Sequence, residues 1–542
     1  MDILARKFSN IARRLSTSGK KTPVAALAAI ALLGSPNLVV AASETPVSTE
    51  QGKLAGNTRD GIDSYLGIPY AAPPVGANRW RSPQPATAWQ GVKAAKTFGA
   101  SCVQAPGAPG GAYTEEFVTP GPFAEDCLFL NIWTKKAAAA RRPVLVWIHG
   151  GGFSIGSGAM PMFDGAALAA KGVVVVTLNY RLGPFGYLAH PGLSAEDPHH
   201  SSGTYGLQDQ AAALRWVHRN ITAFGGDPGN VTVMGESAGA ISTNGLILSP
   251  LAAGLFHRAV VLSGSGMGFP APNLRDAETF GASFAEKLGA PDVAALRALP
   301  AEKILAAVPW NQELPPAAIT FPFWPVVDQW ALPADPDLGS SRPRSPVPMM
   351  TGFNQDENFL IMVRTVADFE SLVKGWFGSR ADRILALYPH ATDAEAAVSA
   401  KVLARDRYMT SLSRWTSARA SSSDQIIYQY VYDHPSPTRA GPNFGSFHSA
   451  GISYFFGNLD PATRPFAAGD RTVSSQVQDD LIAFIKTGNP NRAGRPQWPR
   501  VNESKQVMAF GLKPGLRDAV SSPARLEALR DHARNGGRLS LF

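Results

Sequence analysis

The chain has 542 residues, 45% hydrophobic and 17% charged, which excludes a disordered polyelectrolyte and suffices for a large buried core. Its formal charge is +8, but residues 1–42 carry six basic side chains (Arg6, Lys7, Arg13, Arg14, Lys20, Lys21) against one acid, Asp2; removing them leaves 44 basic and 41 acidic residues, a net of +3. That balance calls for no nucleic acid or other polyanionic partner.

The basic N-terminus leads into an apolar run from Val24 to Leu33, then Gly34-Ser35-Pro36 and the small residues Val40-Ala41-Ala42. This is the layout of an export signal with cleavage after Ala42, so the expected organisation is a signal over 1–42 and a single domain over 43–542, in a secreted or periplasmic product. The apolar run is shorter than the roughly 20 residues a bilayer span needs, so no stable membrane insertion is expected after cleavage; the alternative is a membrane-anchored N-terminal helix. Leu15-Ser16-Thr17 is too polar for a twin-arginine signal at Arg13-Arg14. Two cysteines, Cys102 and Cys127, in an exported chain point to one disulfide, worth about 3–4 kcal/mol by loop entropy, against the alternative of two buried thiols.

Val144 to Ile148 and Val173 to Leu178 are short apolar runs of the kind found in strands buried on both faces. From Leu207 to Phe224 the apolar spacing becomes helical and stops at Gly225-Gly226-Asp227-Pro228. Asn230 to Met234 reads as a strand and Ala238 onward as a helix, so strand and helix alternate as in a parallel α/β sheet. Residues 331–348 look like a surface loop, Ile426 to Tyr432 alternates like a strand, and Gln476 to Thr487 is patterned as a helix.

The sharpest chemical signal is Gly235-Glu236-Ser237-Ala238-Gly239, a serine between two glycines on a strand-to-helix turn. Such a turn exposes the hydroxyl as a nucleophile and aims the positive end of the following helix at a developing oxyanion. A serine hydroxyl needs a base and an oxyanion site. Backbone N–H groups of His149-Gly150-Gly151-Gly152-Phe153, after the first apolar strand, suit the second need; the lysine or dinucleotide spacing of a phosphate loop is absent.

With these motifs the chain resembles the type-B carboxylesterases, the group that includes the cholinesterases. The resemblance runs through Gly67-Ile68-Pro69-Tyr70-Ala71, Glu125-Asp126-Cys127-Leu128-Phe129-Leu130-Asn131, the His149–Phe153 run, Asn179-Tyr180-Arg181, Gly206-Leu207-Gln208-Asp209-Gln210, Phe224-Gly225-Gly226-Asp227-Pro228 and Gly235–Gly239. It implies an α/β-hydrolase fold, a large mostly parallel sheet covered by helices with long insertions forming a substrate gorge. It implies serine esterase chemistry on a small-molecule ester, without cofactor or metal. The family's oxyanion hole falls on Gly151, Gly152 and Ala238. Its acid falls on Glu357 in Gly352-Phe353-Asn354-Gln355-Asp356-Glu357, with Asp356 as the competing candidate, and its base on His448 in Phe447-His448-Ser449-Ala450-Gly451. Cys102–Cys127 matches its first disulfide, Arg79 the arginine paired with Glu125, and Glu236 and Ser263 look like groups that adjust the histidine, against ordinary packing. Among the other histidines, His149 is expected to pack the glycine loop and His199 and His200 to be solvated. No His-x-x-x-His or acid-flanked pair suggests a metal.

Two departures bear on the substrate. Where the family places Asp or Glu three residues past the base, this chain has Gly451. The Cys102–Cys127 loop has no tryptophan for an aromatic cage, only Tyr113, Phe117 and Phe123, which argues against cholinesterase activity. The missing carboxylate motivates the expectation that acidic esters are tolerated, polycarboxylates such as the tricarballylic esters of fumonisins among them. Trp310, Phe321, Phe323 and Trp324 are candidates for pocket wall or core. The rival readings are a binding or adhesion protein on the same fold and a lipase acting on long acyl chains.

Overall fold

The computed structural model describes residues 46–135, 141–309, 322–358, 363–439 and 441–540, so the expected export segment lies outside the described residues. Eleven strands form the main sheet: β1 (Asn57–Arg59), β2 (Ile62–Pro69), β3 (Phe129–Lys135), β4 (Arg142–Ile148), β5 (Val174–Leu178), β6 (Gly226–Glu236), β7 (Arg258–Leu262), β8 (Met349–Asn354), β9 (Ile427–Tyr432), β10 (Gln506–Phe510) and β11 (Gly515–Asp518). They lie in the order β1-β2-β3-β5-β4-β6-β7-β8-β9-β10-β11. The pairings from β5 through β10 are all parallel, and antiparallel pairs occur only at the two ends, β1-β2-β3-β5 and β10-β11. The mostly parallel sheet is therefore a mixed one, with its parallel pairs at the centre.

The central strands are apolar along their whole length because both faces are covered. Val144, Val146 and Ile148 enter one core, shared with helices α1 (Tyr205–Asn220) and α2 (Ala238–Leu248). Leu145 and Trp147 enter the other, shared with Val477, Leu481 and Phe484 of a later helix. The period of two thus sorts one run between two cores.

Several boundaries differ from the sequence reading. α1 stops at Asn220, the rest of the expected helix being a single 3-10 turn, Ile221–Phe224. The Gly225–Pro228 breaker does not exclude strand: β6 already starts at Gly226, with its register to β4 broken between Gly226 and Val231. Helix α3 (Asp393–Ser423) has 31 residues and no counterpart in the expected elements. Its buried positions include Asp406, Arg407, Thr410, Thr416 and Arg419, which blur the apolar stripe a helix normally shows. α4 (Ala468–Thr487) begins well before Gln476 because its first turns also bury polar residues, Asp470 and Ser474.

The strand order places the site. The connection leaving β4 runs to β5 and the one leaving β6 runs to β7, in opposite directions along the sheet, and the crevice between β4 and β6 at their carboxyl ends is where ligands bind in open α/β sheets. Gly235 of β6 is in register with Ile148 of β4, which sets the serine turn directly beside the glycine loop. Outside the sheet, Cys102 and Cys127 form a disulfide, and Arg79 binds Glu125 with Nε 2.7 Å from Oε2.

Candidate active site

Ser237 occupies the junction of β6 and α2 at φ 54°, ψ −122°, a conformation a serine adopts only when its surroundings enforce it, at a cost of about 1–3 kcal/mol. The enforcement is close packing. A Cβ on Gly239 would lie 2.0 Å from the Ile148 carbonyl oxygen, and one on Gly150 would lie 2.6 Å from Glu236 Oε2 and 3.1 Å from Ser237 Cβ. The Ser237 N–H donates to the Leu262 carbonyl at 3.0 Å, tying the turn to the end of β7. Ala238 opens a helix buried along its whole length, where first-turn N–H groups lack intrahelical acceptors and act in a low dielectric. Gly151 and Gly152, both at positive φ, lie in the loop after β4.

Four parallel strands deliver the remaining groups from their carboxyl ends. Glu357 follows β8 and is fully buried. Its Oε1 accepts from Ser263 Oγ, just past β7, and from the Asn354 N–H at 2.7 Å; its Oε2 is bonded to His448 Nδ1. Nδ1 is therefore the protonated nitrogen, leaving Nε2 as the proton acceptor of the neutral ring. The Nε2 atom is 3.3 Å from Oε1 of Glu236, the last residue of β6. Burial pulls His448 down, but Glu236 and then Glu357 outweigh it and hold the imidazole up at about 9. Burial raises Glu236, with His448 and a hydrogen bond from Ser449 opposing.

Asp356, the competing acid, is turned to a different task. Its Oδ2 accepts the Ser446 N–H at 2.9 Å, its own N–H donates to the Ser446 carbonyl at 3.0 Å, and Asn354 Nδ2 donates to the Phe447 carbonyl at 2.8 Å, so the β8 turn and the His448 loop are strapped together. Tyr408 of α3 donates to the Asn354 carbonyl at 2.8 Å. His149 is buried in the glycine loop, with Nδ1 bonded to the Gly150 carbonyl at 2.8 Å and its ring stacked on Tyr180; burial lowers it to about 4, so it stays neutral. His199 and His200 are exposed as expected, with the His199 ring stacked on Trp330 at 4.1 Å. Among the described residues no cluster of His, Cys, Asp and Glu could hold a metal, and no helix is long and apolar enough to cross a membrane.

The disulfide loop carries Tyr113 and Phe117, 5.0 Å apart, which pack with Phe447 next to His448. Arg464 anchors this wall, donating to Glu116 and to the Ala112 carbonyl at 2.6 Å each. Phe123 instead sits in a two-residue strand against Ser101 and Cys102. Trp324 packs edge-on to Phe153 at 4.8 Å, against the glycine loop, whereas Phe323 is core beside Phe284; Trp310 and Phe321 lie outside the described residues. The sequence reading gave no part to Asn354 or Ser449. Asn354 stands in the Gly352–Glu357 run that carries the expected acid, but its role there, like that of Ser449, is a contact across loops that no local pattern states.

Residues 43–525 match the model of the Carboxylesterase family. The chain belongs to that family. This esterase is 34% identical over 521 residues to the fumonisin B1 esterase of Sphingopyxis macrogoltabida, covering 91% of the chain and 92% of that protein. It is 35% identical over 477 residues to the para-nitrobenzyl esterase of Bacillus subtilis (strain 168), covering 84% of the chain and 92% of that protein. It superposes on a solved PNB esterase with a TM-score of 0.72 at 31% identity, over 90% of the chain and 100% of that structure, which makes its fold the α/β-hydrolase fold. The esterase is a carboxylic ester hydrolase, and its substrates are small-molecule esters.

Proposed function

We propose that the esterase works through an acyl-serine intermediate with Ser237 as nucleophile, His448 as base and Glu357 as acid. The observation that carries this reading is the bond from His448 Nδ1 to a fully buried Glu357 whose other oxygen is already occupied by Ser263 and Asn354. Held so, the ring keeps Nε2 for the Ser237 proton. Oγ attacks the ester carbonyl, and the N–H groups of Gly151, Gly152 and Ala238 receive the negative oxygen, each such donor being worth about 10²–10³ in rate. His448 returns the proton to the leaving alcohol, takes one from water as water attacks the acyl-serine, and gives it to Ser237 Oγ as the bond to the serine breaks and the carboxylic acid departs. The test is turnover of p-nitrophenyl esters, acetate through palmitate, by the esterase and by Ser237→Ala. Fast hydrolysis of short esters, lost by about 10⁵ or more in the variant, is expected; activity climbing steadily to palmitate makes the enzyme a lipase, and an active Ser237→Ala removes the mechanism.

On the substrate, we propose acidic and polycarboxylate esters, of the tricarballylic kind found in fumonisins. Two things support this: the uncharged Gly451 three residues past the base, and the kinship with a protein named fumonisin B1 esterase. A Cβ at Gly451 meets nothing closer than 3.4 Å, so Gly451→Glu can be made without crowding the backbone. Esters of tricarballylate are expected to be hydrolysed at least as well as neutral esters of equal size, and Gly451→Glu to depress the acidic ones selectively. Equal loss on both classes, or poor turnover of acidic esters by the parent, overturns this choice of substrate.

A further inference from the structure

Ser449 immediately follows the base and stands at φ 73°, in the left-handed region where a glycine is unstrained and a serine is not. A glycine there would relieve the backbone but would lack the hydroxyl. That hydroxyl donates to Glu236 Oε1 at 2.6 Å. The same oxygen, Oε1, lies 3.3 Å from His448 Nε2. Ser449 is also hydrogen-bonded to Tyr113. Because the single Ser449 proton goes to a carboxylate, Tyr113 is the donor in that pair, and a chain of donors runs Tyr113 to Ser449 to Glu236.

The geometry sets a conflict. Nε2 has to face Ser237 Oγ to accept its proton, yet a carboxylate oxygen stands within reach of the same nitrogen. An unoccupied Oε1 would take the Nε2–H of the protonated ring as a charge-assisted partner and hold it away from the serine. We propose that Ser449 is a positioning residue of the catalytic base: with Tyr113 behind it, its hydroxyl occupies the Glu236 oxygen that faces His448 and so leaves Nε2 to Ser237. The inference rests on the triad reading above. It adds a residue that touches no substrate and acts through Glu236.

The charged and titratable groups around this contact are few. Glu357 approaches His448 from the turn after β8 and Glu236 from the end of β6. Tyr113 comes from the disulfide loop, and Tyr180 and Tyr430 lie farther off around Glu236, all three raised chiefly by burial and therefore neutral near pH 7. A pH effect of Ser449 thus has to pass through Glu236 and His448.

The experiment compares Ser449→Ala, Ser449→Gly, Glu236→Gln and the Ser449→Gly/Glu236→Gln pair on p-nitrophenyl acetate, with full pH profiles of kcat and kcat/KM. Ser449→Gly is the decisive variant, because relief of the backbone offsets part of the lost hydrogen bond, and its melting temperature is expected to lie above that of Ser449→Ala. Both Ser449 variants are expected to lose about tenfold in kcat, the size of one hydrogen bond to a charged group, with KM changed less than about twofold. The acid limb of kcat/KM moves to higher pH, since an uncompensated Glu236 grips the protonated ring more tightly. In the Glu236→Gln background, Ser449→Gly is expected to change neither kcat nor the profile further. A Ser449→Gly enzyme with parental kcat and an unmoved acid limb overturns the proposal, as does an equal loss in the Glu236→Gln background. If Ser237→Ala is inactive while the Ser449 variants match the parent, only this inference falls; if Ser237→Ala is active, the triad reading falls with it.

Discussion

The Ser237 side and the His448 side of the site are built on opposite principles. Around Ser237 the structure is made by what is missing: Gly150 and Gly239 bring backbones and carboxylate so close that a single Cβ does not fit. Around His448 it is made by what is present: Asn354, Asp356, Glu357 and Ser263 hold the β8 turn and the histidine loop together through side-chain hydrogen bonds between residues some ninety positions apart in the chain. The first construction is short-range and intolerant of any added atom. The second is distributed, so its parts fail separately and by degrees.

That contrast can be broken at either end. The largest effect is expected from Gly239→Ala, whose methyl would sit 2.0 Å from the Ile148 carbonyl oxygen. Backbone has to move, which costs about 1–3 kcal/mol or more and takes Ser237 out of place; calorimetry should show a lower Tm and the p-nitrophenyl acetate assay a loss of at least about 10³. Glu357→Gln keeps the shape but not the charge, and about 10³–10⁴ in kcat is expected to go while the protein still folds, checked by circular dichroism alongside kinetics. Asn354→Ala removes one strap, while the Phe447 carbonyl keeps the Ala450 N–H at 2.9 Å, so the cost is that of one hydrogen bond, roughly 0.5–1.5 kcal/mol; a Tm lower by a few degrees and a loss of about tenfold in kcat distinguish it from the all-or-none failure at Gly239.

The smallest effect sharpens the picture. With His448 held up at about 9, the acid limb of kcat/KM should lie well above an ordinary histidine, and Glu236→Gln should lower it by about one unit or more. The same shift acts on stability. A histidine whose folded value exceeds its unfolded 6.5 stabilises the fold fully below about pH 6.5, and that contribution fades as pH climbs through about 9. Melting temperatures of the parent should fall across that window more steeply than those of His448→Gln.

How much of this was legible follows the same division. The strands Val144–Ile148 and Val173–Leu178 and the Gly235–Gly239 turn announce themselves, because apolar runs and glycines at fixed spacing encode local geometry. Glu357 and His448 carry no such mark and were assigned by family resemblance. The structure puts both at the carboxyl ends of the parallel strands with Glu236 and Ser263 beside them. Asn354, Ser449 and the wall role of Arg464 depend on which side chains meet across loops, and no local pattern holds that information. α3 escaped for a related reason: buried Arg407, Arg419 and Asp406 make a core helix look like a polar one.

The order of the strands has one more consequence, for when the enzyme becomes an enzyme. Its glycine loop is complete by Phe153 and its serine turn by Gly239, yet the proposed acid arrives at Glu357 and the proposed base at His448. Chains dominated by such distant pairings fold slowly. Recovery of activity on refolding is therefore expected to report the last contacts to form, and a chain cut short before β9 carries Ser237 and Glu357 but lacks His448.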